Sequence, residues 1–569
     1  MEELGLLALA AVLIVVAASA VAAKLGIATP ILLVLIGLGT SLLPGAPELR
    51  IPPEWILAVV LPPILYSAAV NMPAMDFRRN LAPIGALSVF LVITSAFATG
   101  AVIWLLFPAL DFAASVALGA VISPPDAVAA TAIGKRLGLP HRLVTIMEGE
   151  GLVNDATALV MMRSAIAAIS AALSFWGAIG DFAFAVALGI LVGLVVGGVS
   201  VWVRSRIRQP VLTTAISFVV PFLAYLPAEE LGASGVLAVV VAGIVTGHFG
   251  VRRFTAQDRI AERMNWRTIQ LLLENGVFLV MGFELTTVLG DVVEDDLGVW
   301  AAVGIGLLAT AVLFLVRLAF VVPLIAGLRL GQRGAARRAE RIRDTLGRID
   351  AIDFAPEHAP RVERVTSRLQ RAHADARFLA DEGLGWRGGA VLAWSGMRGV
   401  VTLAAAQSLP SDLPYRPQLV LVAFTVAIVT LVLQGGTLPL LIRWLRIRGA
   451  TPHETRRELA RLTAEIGEAA RTVLENPDLR RDDGQPFDDE IVEQVRTSSR
   501  SMLESLGATE EWEAGTTPLQ QRRELQRLLI EAEQAALLEA RASGLYPSHV
   551  VEAVQRLIDE ESARLNGLS

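Results

Sequence analysis

Two carboxylates lie deep inside long apolar stretches of the chain, where an ionisable side chain costs several kcal/mol and is by default a functional residue. Asp126 ends the run Val121-Ile-Ser-Pro-Pro-Asp126, and Asp155 follows Asn154 in the next apolar stretch. Counted along a helix, both acids fall near the middle of a membrane. The sequence therefore predicts a polar site at mid-depth. The alternative is a paired Asp at a proline kink.

The two prolines before Asp126 predict a broken helix. Neither has an amide hydrogen to donate to the carbonyls one turn earlier, so those oxygens are left unpaired beside the carboxylate. Irregular backbone at this depth survives only where protein or a water-filled cavity covers it. A second break is expected around Arg398, which lies between Gly396 and Gly399. An Asp at one break and an Arg at the other would offset the partial charges of the half-helix ends.

A further pair of opposite charges is predicted to be structural. Glu150 lies one helical turn before Asn154 on the same face. Arg317, in a later apolar stretch, is expected at about the depth of Glu150, and the two are interpreted as an ion pair. The alternative interpretation of Glu150, Asn154 and Asp155 is a polar network that only holds helices together.

The composition restricts the class of protein. The chain has 569 residues, of which 54% are hydrophobic and 18% charged, with 48 glycines and no cysteine. These fractions argue against an ordinary cytosolic enzyme, a nucleic-acid-binding protein and a disordered chain. The absence of cysteine excludes disulfides, iron–sulfur clusters and thiolate metal sites.

The apolar stretches predict a multi-pass membrane protein, since a spanning helix takes about 20 mostly apolar residues. Thirteen spans are expected, at 4–23, 25–43, 54–72, 81–107, 112–132, 145–172, 181–203, 211–228, 233–250, 268–290, 298–328, 388–409 and 418–443. Spans 1–11 thus fill residues 1–328, and spans 12 and 13 fill 388–445. Two soluble parts remain, an Arg-rich insertion at 329–387 and a tail at 450–569.

The distribution of basic residues predicts the orientation. The gaps after spans 1, 3, 5, 7 and 9 carry most of the Lys and Arg, while the alternate gaps carry mainly acids. The positive-inside rule then places the N-terminus outside, and the insertion and the tail in the cytoplasm. The first 23 residues have no basic n-region, so they are expected to stay as a span.

The two predicted breaks fall in spans 5 and 12, seven spans apart, which is the pattern of inverted-repeat transporters. The expected fold is an all-α polytopic membrane protein of about 13 transmembrane helices, with inverted repeats and two crossing broken helices. A helical cytoplasmic C-terminal region follows, either a regulatory domain with an unknown ligand or a small bundle that aids assembly. The basic insertion is also expected to meet anionic membrane lipid.

Three motifs together resemble one transporter family. They are Ser123-Pro-Pro-Asp126-Ala-Val, Gly149-Glu150-Gly-Leu-Val-Asn154-Asp155-Ala-Thr and Gly396-Met-Arg398-Gly. In this order and spacing they resemble the monovalent cation/proton antiporters of the bacterial NhaP and eukaryotic sodium/proton exchanger type. The resemblance covers roughly residues 5–445.

The resemblance implies a plasma-membrane homodimer that exchanges Na⁺ for H⁺ without enzymatic activity or a cofactor, in pH and sodium homeostasis. It implies Asp155 as the shared cation and proton carrier, with Asn154 and Asp126 helping to shape the site. Glu150 would pair with Arg317, and spans 4–6 and 11–13 would form a mobile core. By the same resemblance Arg398 offsets the helix ends, and the Asn-Asp pair goes with electroneutral exchange.

Three substitutions depart from the family pattern. Ser67 stands where an acid is common, Gly151 where a Ser is usual, and Pro125 where Thr is frequent. The site therefore has fewer side-chain oxygens with which to bind Na⁺. For this reason K⁺ or Li⁺ is also expected as a substrate.

Three other functions are weighed against antiport. An ion-coupled carrier of another solute would need a larger central cavity. An intramembrane aspartyl protease would use Asp126 and Asp155, but its Gly-x-Gly-Asp motif is absent. In a passive channel, neutralising one Asp would reduce conductance without ending proton coupling.

Overall fold

The computed structural model describes residues 2–25, 28–44, 52–107, 109–170, 175–207, 209–293, 298–351, 358–381 and 383–447, with a few positions between 472 and 493. Nearly all of these residues are helical. The helices are α1 (Glu2–Leu25), α2 (Thr29–Ser41), α3 (Pro53–Asn71), α4 (Ala74–Arg79), α5 (Leu81–Leu106), α6 (Phe112–Ile122), α7 (Ala127–Arg136), α8 (His141–Ser170), α9 (Phe175–Arg204), α10 (Pro210–Glu230), α11 (Gly235–Arg253), α12 (Ala256–Val293), α13 (Val299–Asp350), α14 (Ala359–Asp381), α15 (Trp386–Trp394), α16 (Val400–Gln407) and α17 (Arg416–Leu445).

The chain is a polytopic membrane protein. Among the described residues, 11 helical stretches are long and apolar enough to cross a bilayer. The shorter apolar helix α2 and the interrupted pair α15–α16 coincide with the other two predicted spans. The total of thirteen spans and their inverted-repeat relation stay predictions.

The spanning helices pack as two bundles. The first joins α5, the α6–α7 pair, α8, α13, the α15–α16 pair and α17, which correspond to predicted spans 4–6 and 11–13. The second joins α1, α2, α3 and the helices from α9 to α12. Each bundle buries apolar side chains against its neighbours, and the two broken pairs both lie in the first bundle.

The first broken pair follows from the sequence around the prolines. Helix α6 ends at Ile122, because Ser123 is followed by two prolines that have no amide hydrogen with which to continue the helix. Ser123 Oγ donates back to the Gly119 carbonyl at 2.6 Å. Helix α7 then begins after Asp126, whose Oδ1 accepts from the Val128 amide at 2.9 Å as an N-cap. The predicted interruption of span 5 is confirmed.

The second broken pair forms where glycine was expected to allow it. Helix α15 ends at Trp394, the five residues from Ser395 to Gly399 adopt no regular structure, and α16 begins at Val400. Gly399 lies so close to Asp126 that an added Cβ would collide with its carboxylate. A larger residue would therefore separate the two breaks.

The predicted insertion does not begin as a separate element. Helix α13 is 52 residues long and continues unbroken from the predicted span 11 into the Arg-rich segment as far as Asp350. Helix α14 packs back against it, with Gln332 Nε2 donating to the Ala380 carbonyl at 2.7 Å. Helix α14 also reaches the short helix α4, since Arg79 Nε contacts Asp375 Oδ1 at 2.7 Å. The hydropathy of the chain thus falls after residue 328, but the helix does not end there.

The chain divides into two compact units, Met1–Gly449 and Ala450–Ser569. The predicted helices of the tail lie almost wholly outside the described residues.

Candidate ion-binding site

The two broken pairs touch at their gaps. The Asp126 amide donates to the Met397 carbonyl at 2.5 Å. Arg398 is 2% exposed and directs its guanidinium at the end of α6, with Nε 3.0 Å from the Ile122 carbonyl and Nη2 3.3 Å from that of Ser123. Carbonyls that the break leaves without helical donors thereby gain a cationic one. The geometry is what charge compensation by Arg398 requires.

Helix α8 brings the central polar pair to this crossing. Asn154 is fully buried, and its Nδ2 donates to the Pro125 carbonyl at 2.6 Å. Its Oδ1 accepts no hydrogen bond within the described part of the chain. Asp155 follows directly and is 9% exposed, toward a cavity. One helix turn therefore presents an amide oxygen and a carboxylate, which are the ligands that hard cations prefer.

Glu150 and Arg317 meet one turn below Asn154. Both are 2% exposed, and the guanidinium contacts the carboxylate through two bonds of 2.6 and 2.9 Å. Arg317 Nε also donates to the Leu392 carbonyl, at the end of α15, at 3.0 Å. This ion pair holds α8, α13 and α15 together, and the Glu150 carboxylate is already engaged by Arg317. We therefore do not include Glu150 among the cation ligands.

The three departures from the family pattern each have a local contact, and that of Pro125 is the bond which its carbonyl accepts from Asn154 Nδ2. Ser67 Oγ donates to Gln270 Oε1 at 2.9 Å on the facing helix α12. Gly151 packs against the first residue of α7, so a Cβ there would collide with the Ala127 Cβ at 2.6 Å. The close contact of α8 with α7 thus accounts for glycine at a position where a serine oxygen was expected.

A cavity of about 710 Å³ lies between the two bundles and reaches the site. The first bundle contributes Asp126 and Asp155, and the second contributes α3 and α12. The lining of the cavity also includes the polar or charged residues Asn71, Thr131, Lys135, Glu148, Arg263, Arg267, Gln270, Glu274, Asn275 and Thr402. Lys135 pairs with Glu148 at 2.6 Å and is 64% exposed, so the cavity opens to solvent at this end.

Glu274 is a cavity residue that the sequence-based search did not single out. It lies on α12, where its Oε1 accepts from Gln270 Nε2 at 2.6 Å. The signal was present, since Glu274 is an ionisable residue inside predicted span 10, and the rule applied to Asp126 and Asp155 covers it equally.

Arg163, whose role the sequence left undecided, forms an ion pair with Glu229 at the end of α10. Glu229 also accepts from the Gly235 amide at 2.9 Å. This pair joins the two bundles at the end of α8 opposite the mouth of the cavity, away from Asp155.

Long apolar helices, two broken helices that cross, and a carboxylate that faces a solvent-reaching cavity define an ion-coupled membrane transporter. The chain belongs to the sodium/hydrogen exchanger family. The family's transmembrane sequence profile matches residues 9–444, nearly the whole first unit. The family consists of Na⁺/H⁺ antiporters and not of enzymes.

Curated relatives agree with this assignment. An uncharacterized Na⁺/H⁺ exchanger of Mycobacterium tuberculosis is 30% identical over 465 residues, which is 80% of this chain and 77% of that protein. A sodium, potassium, lithium and rubidium/H⁺ antiporter of Bacillus pumilus is 27% identical over 429 residues, or 72% of this chain and 57% of that protein.

The fold also has a solved counterpart. The sodium/proton antiporter MjNhaP1 of Methanocaldococcus jannaschii matches 78% of this chain and 99% of its own, with a TM-score of 0.54 and 16% identity. At that identity the match establishes the shared fold and not the shared residues.

Proposed function

We propose that the protein exchanges one monovalent cation for one proton, with Asp155 as the site that both compete for. The observation that carries the proposal is the position of Asp155. It lines the cavity together with Asp126, and it directly follows Asn154, whose amide oxygen accepts no bond from the described residues. Asp126, with one oxygen held by the Val128 amide, supplies the second carboxylate.

Coupling follows from the environment of the acid. A charged carboxylate without a partner is energetically unfavourable in a low-dielectric site, so Asp155 holds either a proton or a cation. The other buried charges nearby are already compensated, since Glu150 pairs with Arg317 and Arg398 is directed at carbonyls. If only the neutralised states allow the first bundle to move, each cation carried one way is matched by one proton carried back. Such exchange is electroneutral.

The proposed orientation uses the positive-inside rule. Lys135, Arg263 and Arg267 line the cavity and lie in or beside predicted cytoplasmic gaps. The cavity would then open to the cytoplasm, with the N-terminus outside the plasma membrane and the tail within the cell. The first bundle would carry Asp155 across, while the second, through spans 1–3 and 8–10, would hold two copies together as a homodimer.

We further propose that the protein accepts K⁺ or Li⁺ as a substrate as well as Na⁺. Ser67 is engaged with Gln270, and Gly151 offers no side-chain oxygen. A site with few fixed oxygens discriminates weakly by size. The Bacillus pumilus relative, by its name, transports four alkali cations.

The test uses proteoliposomes with a preformed pH gradient and a pH-sensitive dye. Na⁺, K⁺ and Li⁺ are added separately to wild type and to Asp155→Asn, with no organic solute present. Cation-driven loss of the gradient in wild type and not in the variant supports the proposal. If the variant exchanges at the wild-type rate, Asp155 is not the shared site. If no cation moves protons in the full chain or in a chain truncated near residue 450, antiport is excluded. Exchange that appears only in the truncated chain shows that the tail blocks transport.

A further inference from the structure

The cavity has a third carboxylate on its opposite wall. On α12 the residues Arg263, Arg267, Gln270 and Glu274 follow one another at intervals of four, three and four, so they form one face of the helix. All four line the cavity. The face thus runs from exposed arginines to a carboxylate as it goes deeper toward Asp155.

Glu274 is held in place by a chain of hydrogen bonds across the second bundle. Ser67 Oγ donates to Gln270 Oε1 at 2.9 Å, and Gln270 Nε2 donates to Glu274 Oε1 at 2.6 Å. Ser67 is fully buried on α3, so the chain is anchored away from solvent. The polar chain fixes the orientation of a carboxylate toward the cavity.

Within the part of the chain that the structure describes, no basic side chain pairs with Glu274, whose hydrogen-bond partner is the Gln270 amide. Arg267 is two helical turns away, which is roughly 10 Å along the axis. Lys135 is paired with Glu148. Whenever it is ionised, Glu274 adds negative potential to the part of the cavity that Asp126 and Asp155 border, where walls of low dielectric focus it.

Glu274 does not complete a metal-ligand cluster. Among the described residues no three carboxylates or histidines converge as they would around a tightly held ion. A carboxylate that faces the site from a distance raises the local concentration of cations and does not coordinate the bound one.

The two acids on the first bundle and Glu274 on the second belong to parts that must move relative to each other if the proposed exchange takes place. We propose, on the basis of that function, that Glu274 is an accessory acid that favours cation loading only while Asp155 faces this cavity. The effect of Glu274 on cation binding would be confined to one side of the membrane, because Asp155 moves away from Glu274 when it faces the other side.

The experiment compares Glu274→Gln with wild type in vesicles of both orientations. The apparent KM for Na⁺ is measured from the initial rate of dye recovery in everted vesicles, where Na⁺ enters from the cytoplasmic face, and in right-side-out vesicles. We expect the variant to raise KM about fivefold in everted vesicles, the effect of one nearby charge in a partly polar medium. The KM in right-side-out vesicles stays within a factor of two, roughly the spread of surface charge effects.

Two control variants make the result decisive. Glu274→Asp keeps the charge and should keep KM close to wild type; a KM as high as that of Glu274→Gln overturns the role of charge. Asp344→Asn removes an exposed acid from the distal part of α13, outside the cavity. An equal rise of KM in that variant would assign the effect to general surface potential.

Equal changes from both faces, or none from either, also overturn the inference. Asp155→Asn, measured in parallel, tests the proposed function separately. If it abolishes exchange while Glu274→Gln shows no sidedness, antiport through Asp155 stands and the accessory role of Glu274 fails. If wild type shows no exchange, both fail.

Discussion

The amide of Asp126 donates a hydrogen bond to the carbonyl of Met397, and this bond joins the gaps of two broken helices that are far apart in the chain. Neither gap could satisfy its backbone alone in a membrane, where no water replaces the missing partners. The crossing is therefore a single unit, closed by backbone bonds and by the Arg398 guanidinium, against which Asn154 and Asp155 lie.

Arg398→Lys should weaken the crossing although it keeps the positive charge. The guanidinium donates to the carbonyls of Gly396, Ile122 and Ser123, and a flexible ammonium cannot reproduce that planar set. We expect a loss of stability of about 1–3 kcal/mol, measured as a lower melting temperature in detergent, and slower exchange. Arg343→Lys, on the exposed part of α13, is the matched control and should change neither. A melting temperature equal to wild type would mean that charge alone suffices.

Glu150→Gln should destabilise the protein more than Glu148→Gln on the same helix. Removing one partner of a buried ion pair leaves an uncompensated charge and costs about 3–5 kcal/mol. The Glu148 pair with Lys135 is partly exposed and contributes about 0–1 kcal/mol. Thermal unfolding of the two variants in the same detergent measures the difference. Similar melting temperatures would show that the Glu150 pair is screened by solvent.

Gly151→Ala should slow exchange by displacing α7, because the new methyl group meets the Ala127 Cβ. Strain from an overpacked contact amounts to about 1–3 kcal/mol. The double variant Gly151→Ala with Ala127→Gly removes the collision and should recover most of the lost rate. Gly304→Ala, whose Cβ would meet no atom within 4 Å, is the control. If the double variant is as slow as the single one, the contact with α7 is not the reason for glycine.

The cysteine-free chain allows a direct test of orientation. Single cysteines introduced for Ala336, on the distal part of α13, and for Glu230, at the end of α10, are both at exposed positions. A membrane-impermeant maleimide should label the first only in everted vesicles and the second only in right-side-out vesicles. The opposite pattern would reverse the proposed topology and place the cavity on the outer face.

Local chemistry made part of the site predictable. Proline cannot continue a helix, so the interruption before Asp126 could be derived from two residues alone. The meeting of Glu150 with Arg317 could be expected from depth, since a buried charge needs a partner.

Other features depend on which helices become neighbours, and that could not be derived from one stretch of sequence. The contact of Gly151 with Ala127 and the bond of Ser67 to Gln270 are of this kind. The continuation of α13 beyond residue 328 was missed for another reason. A fall in hydropathy marks where a helix leaves the membrane, whereas residues such as Ala, Arg and Glu favour its continuation in water.

Helix α13 contains 52 residues, which corresponds to a rod of about 78 Å. A bilayer core accounts for only about 30 Å of that length. The part of the helix after residue 328, about 33 Å long, extends beyond the predicted span, so a tilt of the spanning part displaces the far end most. A rotation of about 10° moves a point 33 Å beyond the membrane by roughly 6 Å, a displacement within the range of spectroscopic rulers. If the first bundle moves as proposed, a spectroscopic probe on the distal part of α13 would report that motion from the aqueous side.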